Sequence, residues 1–234
     1  MKSISIVVVL VFVFIKSGVC QLRIVNGKEA DIRNHPWQVA INRVSWSFFH
    51  DHVCGGVIIG TRFILTAGHC MNDTTNLIVR AGSTSSTWWG SKFDIANVMI
   101  HNEYPRNPLM DIAIITLEQE IEYSDSMRAI KMLSANYIVS AGRPATISGY
   151  GRTGLNDSLS KVLMEATLQT ISLQDCQSFD PYVDESVQCA IDRSPVRATT
   201  MVQIVMLLYP LFVRQFRTSG TGLNTTLGFN AYNL

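Results

Sequence analysis

Leu65-Thr66-Ala67-Gly68-His69-Cys70 sets a histidine at the end of an apolar run, beside a cysteine, where the chain turns. Further along, Asp111-Ile112-Ala113-Ile114-Ile115-Thr116-Leu117 puts an aspartate at the head of a wholly apolar run. A lone histidine is more often a surface or core residue than a base. The pair reads differently. A carboxylate leading into a buried strand is costly to desolvate unless a donor meets its charge, and an imidazole N–H is such a donor. In a hydrolytic triad the aspartate orients the histidine, which takes the proton of a serine nucleophile. His69 and Asp111 are therefore the candidate base and its orienter. Cys54-Gly55-Gly56 lies upstream, and a bridge between Cys54 and Cys70 would fix the turn that carries His69.

Around these clusters, residues 53–59, 62–66, 77–79, 112–117 and 144–148 are short runs rich in Val, Ile, Leu and Thr, separated by polar or glycine turns. Such runs predict strands. With little sign of long amphipathic helices and no internal repeat, the fold class is all-β, an antiparallel sandwich or barrel. The 234 residues, 47% hydrophobic with formal net charge +1, suffice for one large domain or two small barrels sharing a core. So neutral a balance argues against nucleic acid as the main partner.

Residues 1–20 read as a signal peptide: Lys2, an apolar run over 6–15, then small residues at Gly18 and Cys20. Lys16 closes the run well short of the roughly 20 residues that a membrane span needs. A secreted, extracellular chain follows, in a compartment where disulfides persist. Beyond Cys20 the cysteines are Cys54, Cys70, Cys176 and Cys189; four cysteines allow about three pairings, and spacing alone does not choose among them. Asn72, Asn156 and Asn224 head glycosylation sequons. After Asp192 the composition changes abruptly. Residues 193–234 contain no Asp or Glu, while Arg193, Arg197, Arg214 and Arg217 are cationic and residues 201–213 are nearly all apolar around Pro210.

Taken in order, Arg23-Ile24-Val25-Asn26-Gly27, Pro36-Trp37-Gln38-Val39, Cys54-Gly55-Gly56, residues 66–70, residues 111–117 and Gly149-Tyr150-Gly151 resemble the trypsin-like serine proteases of the chymotrypsin family. The resemblance covers residues 23–190. It implies two antiparallel six-stranded β-barrels, His69 as general base, Asp111 as its orienter, and bridges Cys54–Cys70 and Cys176–Cys189. It also implies an activation cleavage between Arg23 and Ile24, dividing the chain into a signal peptide (1–20), a short propeptide (21–23), a protease domain (24–192) and a non-matching segment (193–234). Gly68 stands where the family usually has Ala, and Tyr150 where Trp is usual. Neither change disables the chemistry.

The larger departure comes later. The family's nucleophile lies in Gly-Asp-Ser-Gly-Gly-Pro beyond the cysteine matched by Cys189, and this sequence has no such motif. Thr218-Ser219-Gly220-Thr221-Gly222 lacks the preceding Asp, and Arg217 replaces a glycine whose N–H helps bind the oxyanion. The nucleophile, its oxyanion donors and the carboxylate that would receive the Ile24 amine vanish together. The second barrel is expected to be incomplete and poorly ordered beyond about Asp192, because the family builds its last strands from the stretch that no longer matches.

The resulting expectation is a secreted trypsin-like endopeptidase homologue, monomeric, acting on polypeptide substrates or binding partners and inactive for want of its serine. A non-catalytic binding or regulatory protein, or a frameshifted or alternatively spliced protease, are the rivals. No cofactor is implied. His50, His52 and Cys54 alternate in a way that zinc ligands sometimes do, but Cys54 has a better use in a disulfide, and no metal site is assigned. Trp88 and Trp89 are expected to pack within a loop.

Overall fold

The computed structural model describes residues 27–45, 49–133, 139–151, 160–191, 201–204 and 216–217. The leader at 1–20, Arg23, Ile24, the sequons at Asn156 and Asn224, and Ser219 lie outside the described residues.

The strands at Gln38–Ser45 (β2), Phe49–Ile58 (β3), Phe63–Thr66 (β4), Leu77–Ala81 (β5), Ser91–Ile100 (β6) and Ala113–Leu117 (β7) close a barrel in the order β2-β3-β4-β7-β6-β5. Every pairing in it is antiparallel. Alternation explains the interior: Val39 and Ile41 of β2, Leu77, Val79 and Ala81 of β5, and Ala113, Ile115 and Leu117 of β7 all point into one buried cluster. Each such Val, Leu or Ile contributes about 1.5–3 kcal/mol by leaving water. The predicted runs at 62–66, 77–79 and 112–117 fall on β4, β5 and β7, and the run at 53–59 is the second half of β3.

A second, six-stranded sheet runs in the order β1-β9-β10-β11-β12, with β8 also on β9. Its members are Lys28–Glu29 (β1), Pro144–Gly149 (β8), Met164–Ile171 (β9), Cys189–Ile191 (β10), Met201–Ile204 (β11) and Phe216–Arg217 (β12). The α-helix Leu173–Phe179 (α1) is capped by the Ser172 hydroxyl, which accepts from the Asp175 amide. The break in composition after Asp192 therefore does not end the sheet: Ala190 pairs with Val202 and Ile191 with Met201.

The two halves meet over a small buried cluster of Ala30, Ile32, Ala40, Tyr150 and Leu163. Polar contacts reinforce it. The Ser148 hydroxyl donates to the Gln38 side-chain carbonyl at 3.1 Å, and the Tyr150 hydroxyl donates to the Ser83 carbonyl at 2.7 Å. Both disulfides implied by the resemblance are present, Cys54–Cys70 and Cys176–Cys189.

Candidate active site

His69 opens a single 3-10 turn, His69–Met71, directly after β4. Two ties hold that turn on the barrel. The Thr66 hydroxyl donates to the Gly55 carbonyl at 3.0 Å, and the Cys54–Cys70 bridge joins the turn to β3. Asp111 caps the 3-10 turn Pro108–Met110 and leads into β7, so the pairing of β4 with β7 brings it to His69.

Both oxygens of this carboxylate face the histidine. The His69 amide donates to Asp111 Oδ1 at 2.8 Å, and the ring Nδ1 lies 2.8 Å from Oδ2. An ionised carboxylate only accepts, so Nδ1 carries the proton and Nε2 is the accepting nitrogen of the ring. Asp111 is 6% exposed, and it reaches burial with its charge met by two donors. Such a dyad orients an imidazole as a base; it does not by itself supply a nucleophile.

The flanks of the dyad are closely packed. His69 Nε2 lies 3.3 Å from the Cys70 sulfur and 4.0 Å from that of Cys54. Among the described residues, Cys54, His69 and Cys70 are the group of potential metal ligands drawn together. Their two sulfurs are bonded to each other and offer no thiolate, so the donor set does not suit a metal ion. Tyr104 covers the other side. Burial, and then the charge of Asp111, push its hydroxyl above the usual tyrosine range, against a lowering hydrogen bond with Asn72. Asn72 itself is exposed at the end of the His69 turn.

Tyr104 is the neighbour that sequence reading missed. The signal was present in Gly68, since a Cβ there would stand 3.0 Å from Tyr104 Cδ1, 3.1 Å from Asp111 Oδ1 and 3.2 Å from Ile100 Cγ2. The glycine in place of the family's alanine lets this wall close on the dyad. Leu109, from the turn before Asp111, packs against the cluster around the Cys176–Cys189 bridge and carries the site toward the second half.

His50 and His52 stand elsewhere on β3. His52 meets Tyr150 edge-on at 5.5 Å, and burial pushes its ring down to about 4. Trp88 and Trp89 correct the expectation of loop packing: they are 61% and 84% exposed.

A closed six-stranded antiparallel barrel joined to a second sheet, with a histidine–aspartate dyad at the ends of its strands, defines a protein of the chymotrypsin fold. The sequence model of the trypsin family matches residues 24–198, and the chain belongs to that family. Trypsin iota of Drosophila melanogaster is 35% identical over 159 residues, 67% of this chain and 60% of that protein. Trypsin 5G1 of Aedes aegypti is 33% identical over 174 residues, covering 72% and 64%. The chain thus spans about three fifths of the length of these relatives. Among solved structures, the scabies mite inactivated protease paralogue S-D1 superposes with a TM-score of 0.63 at 26% identity, over 73% of this chain and 74% of the other. Neuropsin from mouse brain shares the fold, with a TM-score of 0.66 at 22% identity over 89% and 93%.

Proposed function

We propose that this chain is a secreted, monomeric trypsin-like endopeptidase homologue that retains the His69–Asp111 dyad but lacks the family's nucleophile motif, and that it binds polypeptides rather than hydrolysing them. One observation carries the reading: the dyad geometry stands beside a sequence with no Gly-Asp-Ser-Gly-Gly-Pro motif. Without the serine no acyl-enzyme forms, and loss of that residue from a comparable triad lowers turnover about a million-fold. The similarity to a protease paralogue described as inactivated supports a scaffold that persists without catalysis.

An active-site fluorophosphonate probe tests the reading directly. The expected result is no labelling of the chain, alongside strong labelling of a trypsin control. Specific labelling that His69→Ala abolishes would show a nucleophile and overturn it. A second reading, a frameshifted or alternatively spliced protease, is favoured by the sudden loss of every Asp and Glu over 193–234. Its test is the coding sequence: an alternate frame beyond Cys189 should encode a stretch close to the missing motif, and three frames without it dismiss this reading.

A further inference from the structure

The turn at 88–90, between β5 and β6, holds two adjacent tryptophans mostly in solvent, Trp88 at 61% and Trp89 at 84% exposed. The backbone beneath them is firmly held. The Ser83 hydroxyl donates to the Trp88 carbonyl at 2.6 Å, and the Ser85 hydroxyl oxygen accepts from the Trp88 amide at 3.1 Å. The Arg80 guanidinium donates to the Trp89 carbonyl at 2.5 Å. Trp89 has φ 62°, in the left-handed region where a bulky residue costs about 1–2 kcal/mol. Gly90 follows at φ 68°, where a Cβ would stand 2.3 Å from the Ala81 carbonyl oxygen. The sequence therefore keeps a large aromatic where glycine or asparagine would sit with less strain, and presents it to water. Strain of this kind gathers at functional surfaces.

The charges around the turn point the same way. Arg80 is 3% exposed, its Nε has no hydrogen-bond partner, and among the described residues no carboxylate pairs with it. Lys92 stands directly opposite Arg80 across β5 and β6. Lys92 Nζ also lies 3.3 Å from His50 Nε2 on β3. Like charges directly opposite on paired strands are destabilising, and a buried cation without a counter-charge is costly. Burial, then Lys92, then Arg80 hold the His50 ring below the usual histidine range. Three basic groups from three strands thus gather at the turn: Arg80 braces its backbone from beneath, and Lys92 is left exposed near the two indoles.

We propose that Trp88 and Trp89, together with the exposed Lys92, form a docking surface for an extended polypeptide segment that carries carboxylates among apolar side chains, with Arg80 bracing the turn from beneath. Exposed tryptophans are the side chains that most often anchor protein interfaces. A partner carboxylate would meet the exposed Lys92 ammonium, while apolar side chains cover the indoles. A sulfated polysaccharide fits less well, since it needs a run of exposed cations; here Lys92 is exposed whereas Arg80 is buried. The surface uses neither His69 nor Asp111 and goes beyond the reading of the dyad.

The test is an anisotropy titration of the purified chain against a fluorescein-labelled peptide of alternating leucine and glutamate. A leucine–lysine peptide and labelled heparin run in parallel. We expect saturable binding of the acidic peptide, weakened by salt, and no binding of the basic one. Lys92→Glu should weaken binding about tenfold, and Trp89→Ala should do so by a similar factor. Both side chains are exposed, and thermal melts of the two variants establish that they fold. The proposal is overturned if the acidic peptide does not saturate, or if Lys92→Glu binds it as the parent does. It also falls if heparin binds where the peptide does not, which would make the patch a polyanion site.

Discussion

Gly68 and Tyr104 decide how tightly the dyad is enclosed. A methyl group at 68 would meet the Tyr104 ring, the Asp111 carboxylate and Ile100 at 3.0–3.2 Å, closer than comfortable contact. Gly68 has φ −60°, so the backbone accepts alanine and the cost is purely one of space. Overpacking of this kind costs about 1–2 kcal/mol. Gly68→Ala should therefore lower the denaturation midpoint even though alanine is the residue common in relatives of this fold. Tyr104→Leu should recover part of that loss, because the two residues share one volume. A double-mutant cycle in urea measures the coupling, and strictly additive effects would show that the Tyr104 ring does not close on Gly68. The dyad itself was legible because both of its residues sit in apolar runs, where an uncompensated carboxylate would be out of place. Tyr104 was not, because it lies in the polar stretch His101-Asn102-Glu103-Tyr104, which carries no periodic signal.

At the level of elements, strands were readable where the barrel buries them. β4, β5 and β7 are apolar runs lining the interior, and all three were found by composition. β6 was not, and its burial explains why. In Ser91–Ile100 only Phe93 is buried, polar residues and the exposed Met99 share the outward face, and the register slips between Ile95 and Asn97. Alternation broken by a bulge leaves no period of two to detect. β3 holds a titratable group whose effect can be signed. His52, packed against Tyr150, has its Nδ1 buried without a partner and its ring pushed down to about 4 by burial. The unfolded chain binds a proton near pH 6.5 that the folded chain refuses until about pH 4. Between those values the unfolded state holds more protons, so stability is fully present above 6.5 and is lost as the pH falls. From pH 7 to pH 5 this group should remove about 2 kcal/mol. His52→Gln abolishes that contribution. Urea midpoints at the two pH values should fall further in the parent than in the variant, and an equal fall in both would assign the acid sensitivity to other groups.

Across the whole molecule, the first half carries support of its own. The first barrel closes on itself around one large cluster that runs from Trp37 to Ile121, and the Cys54–Cys70 bridge spans a sequence separation of 16, worth about 3 kcal/mol in chain entropy. Among the described residues, the core around α1 and β10 gathers Ile171, Cys176, Val183, Val187 and Cys189. A closed barrel has no edge, so its strands meet their own backbone groups all the way round. The second half is tied to the first through Tyr150, whose side chain is buried and whose hydroxyl donates to the Ser83 carbonyl. Native-state hydrogen exchange should find the slowest amides in β2, β5 and β7, opening only with global unfolding, and faster ones in β8, β9 and β10. Tyr150→Phe leaves the ring in place but deprives a buried carbonyl of its donor, at a cost of about 1–2 kcal/mol. That loss should speed exchange in β8–β10 while leaving β5 and β7 unchanged, because the barrel interior does not contain Tyr150. Equal exchange rates in the two halves, or equal acceleration of both by Tyr150→Phe, would mean that the chain unfolds as a single cooperative unit and that the support runs in both directions.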